Sequence, residues 1–76
     1  MQVEIITPDT TLFSGEAESV TLPGAAGNFQ VLNNHAPIVS SLVKGNVVVK
    51  SVKGINIIEI SGGVVEASNN KVIVLA

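Results

Sequence analysis

The only histidine of this 76-residue chain, His35, is the side chain best suited to catalysis. It lies in the stretch GNFQVLNNHAPIV, residues 27 to 39, between two apolar runs. Acyl transfer would need a serine, a histidine and an acid around an oxyanion hole, and the single aspartate is Asp9. No G-x-S-x-G elbow is present. Because Asp9 lies between Pro8 and Thr10, we interpret it as a turn residue whose carboxylate accepts local backbone N–H bonds.

The other acidic residues do not suggest a metal site. No second histidine and no cysteine accompany His35, and the glutamates are scattered without ligand spacing. Glu16 and Glu18 are two residues apart, which predicts that they share one strand face. Paired carboxylates can serve acid–base chemistry, but a solvated strand face is the favoured interpretation.

Two further sequence features resemble cofactor sites without matching them. Residues 23–27, PGAAG, open no predicted helix and match no phosphate-binding loop. Lys53 is predicted at a hairpin tip, where small β-domains can carry biotin or a lipoyl group. Its neighbours Val52 and Gly54 match neither carrier motif, so we interpret it as a turn lysine. We therefore expect no cofactor, no metal and no catalytic residue.

Composition narrows the possible partners. Charged residues make up 13% of the chain, about half the usual share, and the net charge is −2 with four lysines and no arginine. Nucleic acid is not expected as a partner, because there is no basic stripe and two phenylalanines cannot form a stacking platform. No apolar run approaches the ~20 residues that span a bilayer, and the start MQVEIITPD lacks signal-peptide features. We expect a soluble, unexported protein with no direct membrane insertion.

The elements that position these residues are predicted to be strands. Short β-branched bursts such as NVVV, INIIEI and KVIVLA alternate with turn signals, and no helical spacing is present. The predicted turns lie at Pro8-Asp9, Pro23-Gly24, Asn33-Asn34, Lys44-Gly45, Lys53-Gly54, Ser61-Gly62-Gly63 and Asn69-Asn70. Residues 1–76 are therefore expected to form a single all-β domain, a flattened antiparallel β-sandwich or barrel of about eight to ten short strands.

Alternation within the strands predicts that both sheet faces are apolar. Ile55 and Ile57 fall on one face of INIIEI and Ile58 and Ile60 on the other, and KVIVLA shows the same pattern. A two-layer sandwich would leave one of these rows in solvent. Either a partner covers the outer rows or the protein tolerates their exposure, and the first interpretation is favoured because contiguous patches mark interfaces.

The order of several short segments resembles the amino-terminal β-sandwich of the epsilon subunit of F-type ATP synthases, called delta in mitochondria. The resemblance covers nearly the whole chain. Its markers are Phe13-Ser14-Gly15, Val20 with Leu22-Pro23-Gly24, Gly27 with Phe29, Asn34-His35-Ala36-Pro37, Ser61-Gly62-Gly63 with Glu66, and the ending Lys71-Val72-Ile73-Val74-Leu75-Ala76. Each marker is weak by itself, whereas the ordered set is specific.

The resemblance implies a non-catalytic central-stalk subunit that couples the gamma shaft to the proteolipid c-ring. Its implied place is the cytoplasmic face of the bacterial inner membrane, or the organellar equivalent, held peripherally through the complex. The implied gamma-facing residues are Thr7, His35, Ser40 and Ser41, and the implied c-ring-facing residues are Gly24, Ala25, Ala26, Gly27 and Asn28. His35 would either contact gamma or only hold its own loop. A generic β-sandwich interaction module is the alternative function.

Two departures from the family pattern limit what the resemblance implies. Family members often carry acidic residues in the c-ring-facing loop, where this chain has Ala26 and Asn28, so electrostatic attachment to the ring is expected to be weaker. Most bacterial members also continue after the VLA stretch into two helices that can bind ATP and inhibit hydrolysis. The sequence ends at Ala76, either as a natural short form or as a truncated one, so only coupling is carried over.

Overall fold

The computed structural model describes residues 1–76 as nine β-strands without a helix. The strands are β1 Gln2–Ile6, β2 Thr11–Glu16, β3 Ser19–Gly24, β4 Gly27–Leu32, β5 Ile38–Leu42, β6 Gly45–Ser51, β7 Gly54–Ile60, β8 Gly63–Ser68 and β9 Lys71–Leu75. The predicted all-β fold is therefore confirmed, and the strand number lies within the expected range. Because every regular element is a strand, no helix has the length and apolar character of a membrane span.

Strand pairing divides the sheet into two sets. A five-strand set has the order β2-β1-β9-β8-β5, and a four-strand set has the order β4-β3-β6-β7. They are joined through one pair, Gly24 with Leu42. All pairings are antiparallel except that of β1 with β9, the first and last strands, which run parallel. The sequence does not predict this parallel pair, because the short spacers between consecutive strands allow only antiparallel hairpins. β1 and β9 can pair in parallel because they are far apart in the chain and need no direct connection.

The core lies between the two sets. Alternate residues of each strand point inward, so fully buried side chains come from both sets and form a single cluster of 15 residues. Val3, Ile5 and Val65 contribute from the five-strand set, and Val20 and Val49 from the four-strand set. One continuous core between two strand layers is the packing of a β-sandwich.

The outward rows carry the exposed apolar side chains that alternation predicts. Ile55 and Ile57 of β7 are 61% and 64% exposed, whereas Ile60 is buried. On the five-strand set, Val39 is 72% exposed and Leu75 is 53% exposed. Both outer faces therefore present apolar surface.

One predicted turn is wrong. Pro23 and Gly24 belong to β3, and the chain reverses at Ala25-Ala26, between the paired residues Gly24 and Gly27. A proline is tolerated at this position of β3. The N–H that Pro23 lacks would point towards β6, but the pairing of β3 with β6 ends at Thr21 with Val48, before it reaches Pro23. No ladder hydrogen bond is lost.

Two sequence predictions about acidic residues are also wrong. Glu16 ends β2, but Glu18 lies in the connection to β3, so the pair does not share a strand face. In the turn after β1, Thr7 Oγ1 rather than the Asp9 carboxylate accepts the backbone bonds, from Asp9 N–H at 3.2 Å and Thr10 N–H at 3.0 Å. A hydroxyl one residue before the proline reaches these donors directly.

Candidate partner interfaces

The loops gather at two opposite ends of the sandwich. The Ala76 end comprises the Thr7–Thr10 turn, the Ala25-Ala26 hairpin tip, Val43-Lys44, Ser61-Gly62 and Ala76. The Met1 end comprises Met1, Ala17-Glu18, the Val52-Lys53 turn, Asn33–His35 and Asn69-Asn70. Backbone bonds define them: Ala76 N–H donates to Ile6 O at the first end, and Ala17 N–H donates to Met1 O at the second, each over 2.8 Å.

The residues expected to face the c-ring form the β3–β4 hairpin at the Ala76 end. Ala25, Ala26, Gly27 and Asn28 are exposed and uncharged. The tip is held to β5, because Ala25 N–H donates to Ser41 O at 3.1 Å. Gly24 beneath it is buried, and a Cβ there would come within 2.8 Å of the Phe29 ring. The hairpin is thus a small, neutral, anchored projection.

The neighbouring connection also supports this hairpin. Val43 N–H donates to Pro23 O of β3 at 2.9 Å. The next residue, Lys44, is exposed. Lys44 is consequently the basic group closest in sequence to the anchor of the hairpin, while the tip itself carries no charge.

Thr7, the first residue expected to face gamma, also lies at the Ala76 end. Its N–H donates to Thr10 O at 2.8 Å, and its hydroxyl bonds within the same turn. The side chain is half-buried. Thr7 therefore stabilises the turn between β1 and β2, and its hydroxyl is already engaged there.

His35 lies at the opposite, Met1 end. Its N–H donates to Leu32 O at 3.1 Å, and its Nδ1–H donates to Ala36 O at 2.6 Å. The preceding Asn34 is in the left-handed region with φ of 62° and donates its N–H to Asn70 Oδ1 at 2.8 Å. The exposed imidazole thus holds the loop that leads through Pro37 into β5, which begins at Ile38 as Pro37 predicts.

Ser40 and Ser41 lie on opposite faces of β5. Ser40 is half-buried on the core side, opposite Val65, whereas Ser41 is exposed on the outer face, opposite Val64. The Ser41 carbonyl accepts the Ala25 N–H bond. Ser41 therefore adjoins the hairpin expected at the c-ring, and the structure does not gather the four gamma candidates into one cluster.

A group that sequence reasoning missed is the amino group of Met1. It donates to Ala17 O at 2.9 Å and to Asn33 Oδ1 at 2.7 Å, and the Glu16 carboxylate lies 3.7 Å away. Met1 itself is buried. The sequence marks Asn33 only as a turn residue, and the pairing of β1 that brings the two residues together is not visible in local sequence.

The chemistry-bearing side chains remain apart in the structure. No three His, Asp or Glu side chains form a group that could hold a metal ion. Glu16 and Glu18 are both exposed at the Met1 end, and Lys53 is at the β6–β7 hairpin tip as predicted. The surface of the molecule, rather than an enclosed pocket, is the candidate functional region.

The whole chain, residues 1–76, matches the family described as ATP synthase, Delta/Epsilon chain, beta-sandwich domain. Among curated relatives, the ATP synthase epsilon chain of Chlorobaculum tepidum is 43% identical over 74 residues, with 96% of this chain and 84% of the relative covered. That of Caulobacter vibrioides is 37% identical over 76 residues, covering 100% and 88%. The Maridesulfovibrio salexigens epsilon chain is 42% identical, and this chain spans 52% of its length.

Solved structures show the same fold. A chain in the Euglena gracilis mitochondrial ATP synthase, in a structure of OSCP, F1 and c-ring, superposes with a TM-score of 0.88 at 22% identity. The match covers 97% of this chain and 48% of that one. A chain in the central stalk and c-ring structure of the Tetrahymena thermophila enzyme superposes with a TM-score of 0.77 at 18% identity, covering 97% and 60%.

Proposed function

We propose a function from the family to which the chain belongs, the β-sandwich domain of ATP synthase delta/epsilon chains. The chain is a non-catalytic rotor component that couples gamma to the c-ring. In this role it transmits torque from ion flow to the catalytic head and contributes no chemistry of its own. Residues 1–76 act as one domain, corresponding to the amino-terminal sandwich of epsilon chains.

The observation that carries the proposal is the match of the complete sandwich to relatives named ATP synthase epsilon chain. The Caulobacter relative aligns with all of this chain and with 88% of its own length. Because this alignment covers the whole chain, it includes both loop ends and both outer faces. The similarity to the Caulobacter relative therefore extends over the surfaces available to partners as well as the core.

We assign c-ring contact to the Ala76 end. The β3–β4 hairpin projects two exposed alanines and is held to β5 by the Ala25–Ser41 bond. A small, uncharged tip can approach the loops of a ring closely, and its anchoring limits the entropy lost on binding. Contact through Gly24 to Asn28 would therefore depend on shape more than on charge.

We assign gamma contact to the β5 side of the molecule. Thr7 and Ser41 lie towards the Ala76 end, whereas His35 lies at the Met1 end. The backbone from His35 to Ser41 spans roughly 20 Å when extended, so a gamma surface touching both residues must run along β5. To reach Thr7, in the turn after β1, the same surface must also cross β8 and β9. His35 then contributes mainly by holding the loop before β5, because its Nδ1–H is bonded to Ala36 O.

The place of the protein follows from these partners. It is peripheral to the membrane through the ATP synthase complex, at the cytoplasmic face of a bacterial inner membrane or the organellar equivalent. Neither insertion into the bilayer nor a bound cofactor is part of the proposed role.

Binding to purified partners tests the proposal. The chain should co-elute with a gamma-containing ATPase head and, separately, with a detergent-solubilised c-ring. Ala26→Trp, at the β3–β4 tip, should weaken c-ring attachment because the larger side chain prevents close approach.

Val52→Trp is the matched control, because Val52 occupies the β6–β7 tip at the Met1 end and is 86% exposed. It should leave c-ring attachment unchanged. Failure to co-elute with either partner, where a full-length epsilon chain succeeds, would overturn the proposed function. Equal effects of the two tryptophans would overturn the assignment of the Ala76 end.

A further inference from the structure

The two ends of the sheet face each other across an open seam. β2 and β7 are the terminal strands of the pairing path, and each pairs on one side only, β2 with β1 and β7 with β6. Residues of both strands line one cleft of about 460 Å³ at the Met1 end. It is lined by Phe13 to Glu16 from β2, Asn56 from β7, and the Val52-Lys53 turn, with Met1, Ala17, Glu18, Asn33 and Ser51.

The free edge of β7 presents unpaired backbone groups. The Lys50 carbonyl oxygen accepts a hydrogen bond from the Glu18 N–H, so the backbone N–H and C=O groups of Lys50 point away from β7. Its partner across β6–β7 is Ile55, and in an antiparallel ladder such a pair directs the backbone groups of both residues outward. By the same alternation Ile57 and Glu59 also present free N–H and C=O groups.

The free edge of β2 faces the same seam with its own backbone groups. The Met1 amino group donates to Ala17 O, and Ala17 N–H donates to Met1 O, so the backbone groups of Ala17 point towards β1. Because this direction alternates along a strand, the backbone groups of Glu16 and Ser14 point away from β1. Ser14 and Glu16 line the cleft. The seam is therefore bounded on both sides by strand edges that have no partner.

The β7 edge lacks the usual protection against strand addition. Protective features are short strands, charged side chains or proline within the edge, and covering loops. β7 is seven residues long and contains no proline, its one charged residue, Glu59, lies towards the Ala76 end, and its outward Ile55 and Ile57 are more than 60% exposed. Such an edge is a template for pairing with another strand.

We propose that this seam binds an extended segment of a partner protein, which adds to β7 as a further strand. Its main chain pairs with Ile55 and Ile57, the two residues that flank Asn56 of the cleft. Apolar side chains on one face of the segment pack beside Ile55 and Ile57, and polar or cationic side chains on the other face lie towards Glu16 and Glu18. This goes beyond the proposed rotor role, since the seam lies at the Met1 end, away from the hairpin assigned to the c-ring.

Cleft size and polar satisfaction favour a single strand over other occupants. The opposite wall of the cleft is formed by β2 and the Ala17-Glu18 connection, and a volume of about 460 Å³ suits a few residues of an extended chain rather than a folded copy. No buried side-chain polar atom lacks a hydrogen-bond partner, so no preformed polar anchor for a small molecule is aimed into the cleft. The free groups are those of the backbone, which strand addition uses.

A synthetic peptide tests the pairing directly. The probe is acetylated and amidated Lys-Thr-Lys-Val-Thr-Val-Thr-Val, compared with the same peptide methylated on alternate backbone nitrogens. With the unmethylated peptide at about 1 mM, hydrogen exchange of the Ile55 and Ile57 amides should slow by about tenfold or more. Gln30 and Leu32 on the β4 edge should keep their rates.

Substitutions on the edge separate pairing from folding. Ile57→Pro removes an N–H that makes no ladder bond, so the fold should persist by circular dichroism while peptide binding is lost. Glu16→Gln with Glu18→Gln should weaken peptide binding about threefold to tenfold, as exposed charge pairs do, whereas Glu66→Gln on the outer five-strand face should have no effect.

Four results would overturn the proposal. These are no protection by the unmethylated peptide, equal protection by the methylated peptide, retained binding by a folded Ile57→Pro variant, and equal protection of the β4 edge. An equal effect of Glu66→Gln would overturn the placement of the cationic side chains at Glu16 and Glu18. None of these measurements involves gamma or the c-ring, so the outcome is independent of the rotor assignment.

Discussion

Gly63 and Gly27 share an unusual backbone conformation but differ in their surroundings. Their φ angles are 139° and 126°, in a region that side chains rarely adopt. A Cβ on Gly63 would overlap the Leu75 carbonyl oxygen, whereas a Cβ on Gly27 would meet nothing within 4 Å. The two positions therefore separate backbone strain from steric overlap.

We expect Gly63→Ala to lower the free energy of unfolding by about 3 kcal/mol or more, because strain and overlap with β9 act together. Gly27→Ala should cost only about 1 kcal/mol from strain. Urea denaturation followed by circular dichroism measures both. If the two variants lose similar amounts of unfolding free energy, β9 moves easily to accommodate a Cβ at Gly63, and the overlap with Leu75 contributes little to the cost.

At the scale of the element, the β3–β4 hairpin is where charge can be added without disturbing the core. Ala26 is exposed at the tip, and Asn28 is exposed on β4, opposite Pro23. If the c-ring loops present basic groups, Ala26→Glu with Asn28→Glu should tighten attachment and make it sensitive to salt, because exposed charges act within about 8 Å at physiological ionic strength.

The measurement is c-ring affinity at low and high salt, with Val52→Glu as a control at the β6–β7 tip of the Met1 end, where the side chain is 86% exposed. Val52→Glu should leave the affinity unchanged at both salt concentrations. Tighter binding by this control would indicate a general effect of net charge and contradict a specific role for the hairpin.

The strands and most turns could be predicted because their signals are local. Alternation identified the inward and outward rows of β7, and Asn69-Asn70 and Lys53-Gly54 marked hairpins that the structure contains. Pro23-Gly24 was misleading, since proline is compatible with a strand when its missing N–H has no ladder partner. The separation of Thr7 from His35 and the β2–β7 seam depend on pairing between distant strands, which no local pattern encodes.

At the scale of the whole molecule, scarce charge and exposed apolar rows determine how partners should be held. Charged residues are 13% of the chain, and Val39, Leu75, Ile55 and Ile57 remain exposed on the outer faces. Binding to gamma should therefore draw mainly on apolar burial, at about 25 cal/mol per Å² before binding costs are subtracted.

We expect gamma affinity to change little between about 0.05 and 0.5 M salt. His35→Ala and Val39→Asp should weaken gamma binding without changing c-ring binding, the second because Val39 is exposed on the outer face of β5 and a carboxylate desolvated there by gamma without a partner is costly. Titrations with each partner at both salt concentrations check this. A collapse of wild-type gamma binding at high salt would show that the few Glu and Lys side chains carry the contact instead.

The parallel pairing of β1 with β9 has a consequence for the order of folding. β1 lies between β2 and β9, so its second neighbour is the last strand of the sandwich to be synthesised. The loop closed by this pair contains nearly the whole chain, and contacts of such high sequence separation slow folding. During synthesis the β1–β2 hairpin keeps one edge unpaired until Lys71 to Leu75 emerge, and we expect this edge to need chaperone protection in that interval.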